Sequence, residues 1–266
     1  MIQFNIFPGG KKRALTFSYD DGPQSDVRLA EIFNKYGVKC TFHLNGTYYK
    51  DITEERAEEL RRIYAGHEVA CHTLQHGWPT RMPAQAVVRE TWEDRQMLER
   101  VFGYPVVGMS YPCGNYGDEA ISAMRACGIV YSRTIDSTGS CELPVDFMRW
   151  HPTCHHNRAT EMSERFIKDL DNHWGGPLLY IWGHSFEFRT EEDWQTMEDA
   201  VARMSGNDKV WYATNIEIYN YMMAQRMLQI SADETMFYNP SSMDVWVSRD
   251  HKEIICIPAG QTVVHK

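Results

Sequence analysis

The chain has 266 residues, 43% hydrophobic and 24% charged, which suits a globular protein with a sizeable core and excludes a disordered or fibrous chain. Acidic residues outnumber basic ones 36 to 27, for a net charge of -9, and no basic cluster exceeds Lys11-Lys12-Arg13, so neither nucleic acid nor a membrane is an expected partner. Seven cysteines without a CxxC pair, no signal-peptide pattern after Met1 and no apolar run near the ~20 residues that span a bilayer predict free thiols and a cytoplasmic location.

Strand-like and helix-like runs then alternate. ALTFSY, Ala14 to Tyr19, sets large Leu15, Phe17 and Tyr19 against small Ala14, Thr16 and Ser18, the period-two pattern of a strand with two different faces. DVRLAEIFNKYG places Val27, Leu29, Ile32 and Phe33 at helical spacing and stops at Gly37. A strand (KCTFHLNG), a helix ending at Gly66 (TEERAEELRRIYAG), a short strand (HEVACH) and a long amphipathic helix (AQAVVRETWEDRQMLERVFG) follow. PVVGMSYP and IVYSRT read as strands around the helix GDEAISAMRACG. Farther on, ERFIKDLDNHW is helical, GPLLYIWGH is a strand, TEEDWQTMEDAVARMSG is helical, and KVWYAT leads into NIEIYNYMMAQRMLQ.

About seven β-then-α units predict an α/β fold of parallel strands with crossover helices, either an open sheet or a closed barrel. The first turn lacks GxGxxG, which argues against dinucleotide binding. From about Ala232 the pattern changes to short β-rich runs between Asn-Pro, Arg-Asp-His and Pro-Ala-Gly turns. The expected division is therefore a main unit over 1–231 and a small antiparallel extension over 232–266.

Chemistry-bearing residues gather where strands are expected to end, the usual site of a parallel α/β fold. Asp20 and Asp21 close the first strand. His72 and His76 in GHEVACHTLQH are four apart, and one helical turn would put both imidazoles on one face, able to share a metal. His184 follows the strand LLYIWG directly, with Glu187 three residues on. Singly, each has an ordinary structural reading: DDGP as a turn, HxxxH as two surface histidines, His184 as a hydrogen-bonded histidine. Together they supply what a metal hydrolase needs: ligands, a base for water and an acid for the leaving group.

The order SYDDGP, GHEVACHTLQH, SYPCG and YIWGH resembles the polysaccharide deacetylase family (carbohydrate esterase family four, the NodB-homology domain), from about Leu15 to Thr214. The resemblance implies a distorted (β/α) barrel with fewer strands than a full eight, and metal-dependent removal of acetyl groups from N-acetylated or O-acetylated sugars. It implies that Asp21, His72 and His76 hold a divalent metal, Zn²⁺ ahead of Co²⁺, Ni²⁺ or Fe²⁺. Asp20 would then be the general base and His184 the general acid. The N–H of Cys113 would face the oxyanion, Tyr111 beside it would line the substrate site, and Thr73 would anchor the loop between the ligands.

The chain also departs from the family pattern. The third motif usually reads RxPYG, whereas Ser110 and Cys113 stand at its Arg and Tyr. Arg149 in MRWHP is expected to approach Asp20 and replace that cation. Trp182 occupies the place of a pocket-lining Leu, and Trp150 and Trp182 are expected to stack on sugar. The cluster His151, Cys154, His155 and His156 is read as cleft lining. Two rival functions are a C–N hydrolase acting on a non-sugar amide and a carbohydrate-binding barrel with impaired catalysis.

Overall fold

The computed structural model describes residues 1–22, 24–172 and 176–265. Among the described residues eight parallel strands make the main sheet: β1 (Arg13–Asp20), β2 (Cys40–Leu44), β3 (Glu68–Cys71), β4 (Gly108–Ser110), β5 (Tyr131–Arg133), β6 (Cys154–His155), β7 (Leu178–Gly183) and β8 (Val210–Tyr212). Seven follow one curled path in the order β5-β4-β3-β2-β1-β7-β6. The eighth, β8, pairs with Arg13–Leu15 of β1, below the stretch Phe17–Asp20 that pairs with β2. The two edges are laced together by one segment. Trp150 N–H donates to Ser132 O at 3.1 Å and Thr134 N–H to Trp150 O at 3.0 Å, while Thr153 N–H donates to Tyr180 O at 2.8 Å. The result is the distorted (β/α) barrel the resemblance implied, with seven strands on its curled path and, beyond the expected count, an eighth paired off that path.

All eight residues of β1 are buried, and its large and small side chains have different jobs. Leu15, Phe17 and Tyr19 join the main apolar core with Leu29 and Phe33 of α1 (Asp26–Lys35). Thr16, Ser18 and Asp20 lie on the other face, where Thr16 donates to Asn215 and Ser18 accepts from Arg133. Strand period therefore turns Asp20 into the barrel.

Helices α2 (Glu54–Ile63), α3 (Ala84–Phe102), α4 (Asp118–Ala126), α5 (Ala159–Lys168), α6 (Glu191–Met204) and α7 (Asn215–Arg226) complete the barrel unit. Thr190 and Thr214 close capping boxes on α6 and α7, each satisfying two orphan donors. Helix α5 starts before the expected ERFIKDLDNHW and is capped at Asp169. His173 and Trp174 of that expectation, and Pro23 of the DDGP turn, lie outside the described residues. Among the described residues no helix is long and apolar enough to cross a membrane.

Two small antiparallel sheets follow the barrel. One joins Gln229–Ile230, Met236–Tyr238 and Thr262–Val264; the other joins Ile2–Gln3, Val245–Arg249 and Glu253–Ile257. The Ile2–Gln3 strand pairs with residues nearly the whole chain away, which no local pattern announces. Tyr221 and Gln225 of α7 donate to the backbone carbonyls of Ile6 and Trp246 and tie these sheets to the barrel.

Burial also acts on the carboxyl groups of Asp26, Glu68 and Asp94. Burial raises Asp26 and Glu68 to about 7 and Asp94 to about 8, although each accepts hydrogen bonds that pull the other way. Folded values above the unfolded ones mean the stabilisation is complete below about pH 4 and is lost as pH rises through 7 to 8. The unfolding free energy is thus expected to decline between pH 5 and 8. Glu68 accepts from Tyr131, Thr41 and the Ile216 N–H. Glu68→Gln can satisfy the same partners, so it should flatten the decline by up to ~3 kcal/mol in urea titrations. An unchanged slope would rule this out.

Candidate active site

The strand ends β1, β3, β4 and β7 bring the sequence-selected residues to one place. Asp20, the last residue of β1, faces inward and is 2% exposed. Asp21 has a φ of 78°, and this left-handed step carries its carboxylate to the barrel mouth. Adjacent carboxylates thus serve different surroundings. Asp21 Oδ1 lies 3.6 Å from His72 Nε2 and 3.7 Å from His76 Nε2. The His72 and His76 rings stand edge to face with centroids 4.8 Å apart. His184 Nε2 is 3.9 Å from Asp21 Oδ2.

The His72–His76 turn carries unusual backbone. Thr73 and His76 have φ of 61° and 56°, and Cys113 in the next loop has 52°. Non-glycine residues held there cost free energy that the surroundings must supply, a pattern that gathers at functional sites. Helix α3 provides the support: Asp94 accepts from the His72 and Gly46 N–H groups, and Glu90 accepts from Gln75 N–H. Asn45 donates to the carbonyls of His72 and Thr73. The expected anchor is therefore corrected: Asn45 pins the loop, and the Thr73 hydroxyl is buried without a partner.

Whether Asp21, His72 and His76 suit a divalent cation can be judged from their protonation. His72 Nδ1 lies 3.0 Å from Ser110 O and 2.7 Å from Ser110 Oγ. A carbonyl only accepts, so the proton sits on Nδ1 and the Nε2 lone pair faces Asp21. Burial, opposed by Asp20 and Asp21, pushes the His72 pKa down and keeps the ring neutral. A neutral imidazole with its far N–H on a carbonyl is the arrangement metal-ligating histidines adopt. The donor set fits.

Asp20 is held on both oxygens. Ser110 Oγ donates to Oδ1 at 3.0 Å, and the Arg133 guanidinium pairs with Oδ2. Burial alone would raise its pKa, but the Arg133 guanidinium holds it well below the usual carboxylate range. Ser110 stands at the family's Arg position, and its hydroxyl links Asp20 to His72.

Arg133, not Arg149, is the cation at Asp20. Arg149 pairs with Asp146 at 2.6 Å and with Asp118 on the outer surface, far from the expected role. Strand order explains this: Arg133 ends β5 and points inward, whereas Arg149 sits in the lacing segment and faces solvent. Arg133 is fully buried, and its guanidinium lies 4.5 Å above the Trp182 ring. Trp182 is 8% exposed and donates from Nε1 to Ser137, so it braces Arg133 and does not offer a free face to sugar. Trp150 is 1% exposed and packs against Tyr131, Phe147 and Tyr180, a core residue. Tyr111 is buried too, its hydroxyl donating to Met148 O. Cys113 is exposed at the loop surface. Sequence reasoning missed Arg133, whose signal is a charged residue ending an otherwise unbroken strand. On the other side of His184, Nδ1 lies 3.3 Å from Glu187 Oε1.

Residues 8–132 match the polysaccharide deacetylase family model. Over that stretch the chain is similar to the polysaccharide deacetylase family. It is 28% identical over 126 residues to a chitin deacetylase from Pestalotiopsis sp, covering 47% of this chain and 42% of that one. The chain spans less than half the length of the curated relatives it matches. Its fold resembles the chitin deacetylase of Colletotrichum lindemuthianum, with a TM-score of 0.56, 18% identity and coverage of 78% and 88%. It also resembles the peptidoglycan deacetylase PdaC of Bacillus subtilis, with a TM-score of 0.53, 18% identity and coverage of 84% and 98%. At such identities the structural likeness is one of fold. Within this barrel, Asp20, Asp21, His72, His76 and His184 lie together at the mouth.

Proposed function

We propose that the chain is a metal-dependent hydrolase that removes acetyl groups from N-acetylated sugars or oligosaccharides. The observation that carries this reading is the convergence of Asp21, His72 and His76 beside an ionised Asp20, with His184 opposite. Residues 1–231 would carry the chemistry and 232–266 would brace the barrel through α7.

Asp21, His72 and His76 would hold the cation, with Zn²⁺ the best match to a carboxylate and two imidazoles. When bound, it supplies a Lewis acid for the acetyl carbonyl and acidifies water at neutral pH. Asp20 stays ionised to low pH and, fixed by Arg133 and Ser110, orients the attacking water and accepts its proton. His184 donates a proton to the departing sugar amine, a leaving group that needs one. Glu187 accepts from His184 Nδ1–H and so aims Nε2 across the site. The Cys113 N–H is the proposed oxyanion donor, its loop held in a left-handed turn.

A cleft of about 550 Å³ opens beside the ligands, lined by Asp21, Gly22, Asn45, Tyr48 and His76. Tyr48 is 69% exposed there, an aromatic face of the kind that sugar rings stack on. Tyr48→Ala is expected to raise KM for an N-acetylglucosamine oligomer about 10-fold with little change in kcat, since the ring binds sugar without touching the reacting atoms. A kcat loss alone would argue for another role.

Acetate release from N-acetylglucosamine oligomers with Zn²⁺ or Co²⁺ tests the main reading. Release that needs the metal and disappears in Asp20→Asn supports it. No release from any acetylated sugar by the metal-loaded chain would sink it in favour of a non-sugar amide or a binding role.

A further inference from the structure

Beside the proposed site stands a second group of metal-binding side chains. His155 and His156 Nε2 lie 3.0 and 3.1 Å from the same oxygen, Glu187 Oε2. Both approaches are at ion-pair distance, and the carboxylate is held between the two imidazoles. Two imidazole nitrogens and a carboxylate oxygen within 4.8 Å of one another are spaced as ligands around a shared ion are. We propose that His155, His156 and Glu187 form a second divalent-cation site that takes Zn²⁺, Co²⁺ or Ni²⁺, the borderline metals suited to two imidazoles and a carboxylate.

The fold builds this group with some care. Successive strand residues point to opposite faces, but His155 ends β6 and His156 opens a single 3-10 turn, so their ring centroids come within 4.3 Å. The buried His156 ring is stacked between Phe188 at 4.5 Å and Tyr19 at 5.7 Å. It lies so close to β7 that a Cβ on Gly183 would overlap Nδ1, so only glycine leaves the ring its place. A cleft of about 440 Å³, lined also by Asn157, Thr160 and Asp193, gives an ion and its waters access.

Protonation ranks the two sites. His72 presents its metal-ready tautomer because Ser110 accepts from Nδ1. His156 Nδ1 is buried without a partner, and His155 Nδ1 faces the Asn157 N–H at 3.4 Å. Ligation through Nε2 forces a proton onto both of these Nδ1 atoms, where no acceptor waits. Outer-shell partners of ligating histidines are worth about 10–100-fold in affinity, so the second site should bind weaker than the first by about that factor. Its position also has a consequence that rests on the proposed hydrolysis. Glu187 offers Oε1 to His184, so an ion on Oε2 draws the carboxylate away from the acid, and excess cation should inhibit.

Equilibrium dialysis of the metal-free chain against Co²⁺, with visible absorption to report coordination, tests the site without relying on activity. The native chain should take up two ions whose dissociation constants differ about 10–100-fold. His155→Gln with His156→Gln should bind one ion, the tighter; Asp21→Asn with His76→Gln should keep only the weaker. Should the buried His156 change prevent folding, His155→Phe alone should still weaken the second binding at least 10-fold. Native saturation at one ion, or two ions in the His155/His156 variants with unchanged spectra, would overturn the proposal. Two bound ions without acetate release would instead overturn the hydrolytic reading and leave this site standing.

Discussion

Arg133→Met is expected to destabilise the fold by about 3–5 kcal/mol, because it strips the counter-charge from a carboxylate that water cannot reach. Arg133 makes four contacts at once: to Asp20, to Ser18 Oγ at 3.0 Å, to Thr134 O at 3.0 Å, and over the Trp182 ring. In the native chain the Asp20 pKa lies below its unfolded value. Its contribution is therefore complete above about pH 4 and is lost as pH falls toward that lower value. Without Arg133, burial dominates and the Asp20 pKa rises above the unfolded value. The sign then reverses, and stability drains away as pH rises through the new value. Urea unfolding of both proteins from pH 4 to 8 should thus diverge most at the alkaline end. The double variant Arg133→Met with Asp20→Asn should recover part of the loss, since a neutral amide needs no counter-charge. A loss under 1 kcal/mol, or no recovery in the double variant, would show that the pair does not hold the barrel mouth. Acetate release should fall at least about 100-fold in either case, because Asp20 loses both its charge state and its orientation.

What could be read from the sequence follows from how far each signal reaches along the chain. The βα alternation is local, so the barrel was legible from period-two and period-3.6 runs. Asp21, His72 and His76 stood out because one motif spaces the two histidines over a single turn and another ends a strand. Arg133 had no such advantage. It ends a three-residue strand, and what makes it important is that β5 closes back toward β1 through the lacing segment. Arg149 looked the better candidate because Arg149-Trp150 stands at the place of the family's fourth motif, yet in space it pairs with Asp146 and Asp118 on the outer surface. Trp150 and Trp182 illustrate the same limit: a tryptophan's composition says nothing about which wall it faces. Glu187 was visible as an acid three residues after His184, but its convergence with His155 and His156 depends on β6 and β7 pairing side by side.

Asp21→Asn should remove cation binding at the Asp21, His72 and His76 site while leaving the fold nearly intact. Position 21 needs a φ of 78°, and asparagine adopts left-handed backbone more readily than most residues, so the turn survives. Its carboxylate is part-exposed, and the amide that replaces it leaves no buried charge. Asp21→Ala would add about 1–2 kcal/mol of backbone strain at the same position, so the pair of variants separates ligand loss from turn loss. A cation at 100 times its Kd stabilises a native site by about 2.7 kcal/mol, and in Asp21→Asn only the weaker second site's share, about 0.4–1.4 kcal/mol, should remain. Lewis-acid assistance is worth several kcal/mol, which converts to at least about 1,000-fold in acetate release. Thermal unfolding with and without Co²⁺, run beside the activity assay, reads both effects on one sample. If Asp21→Asn keeps the full cation-dependent rise in stability, the tighter ion sits elsewhere. If that rise is lost and hydrolysis continues, the ion at Asp21, His72 and His76 is structural and the water is activated by another group.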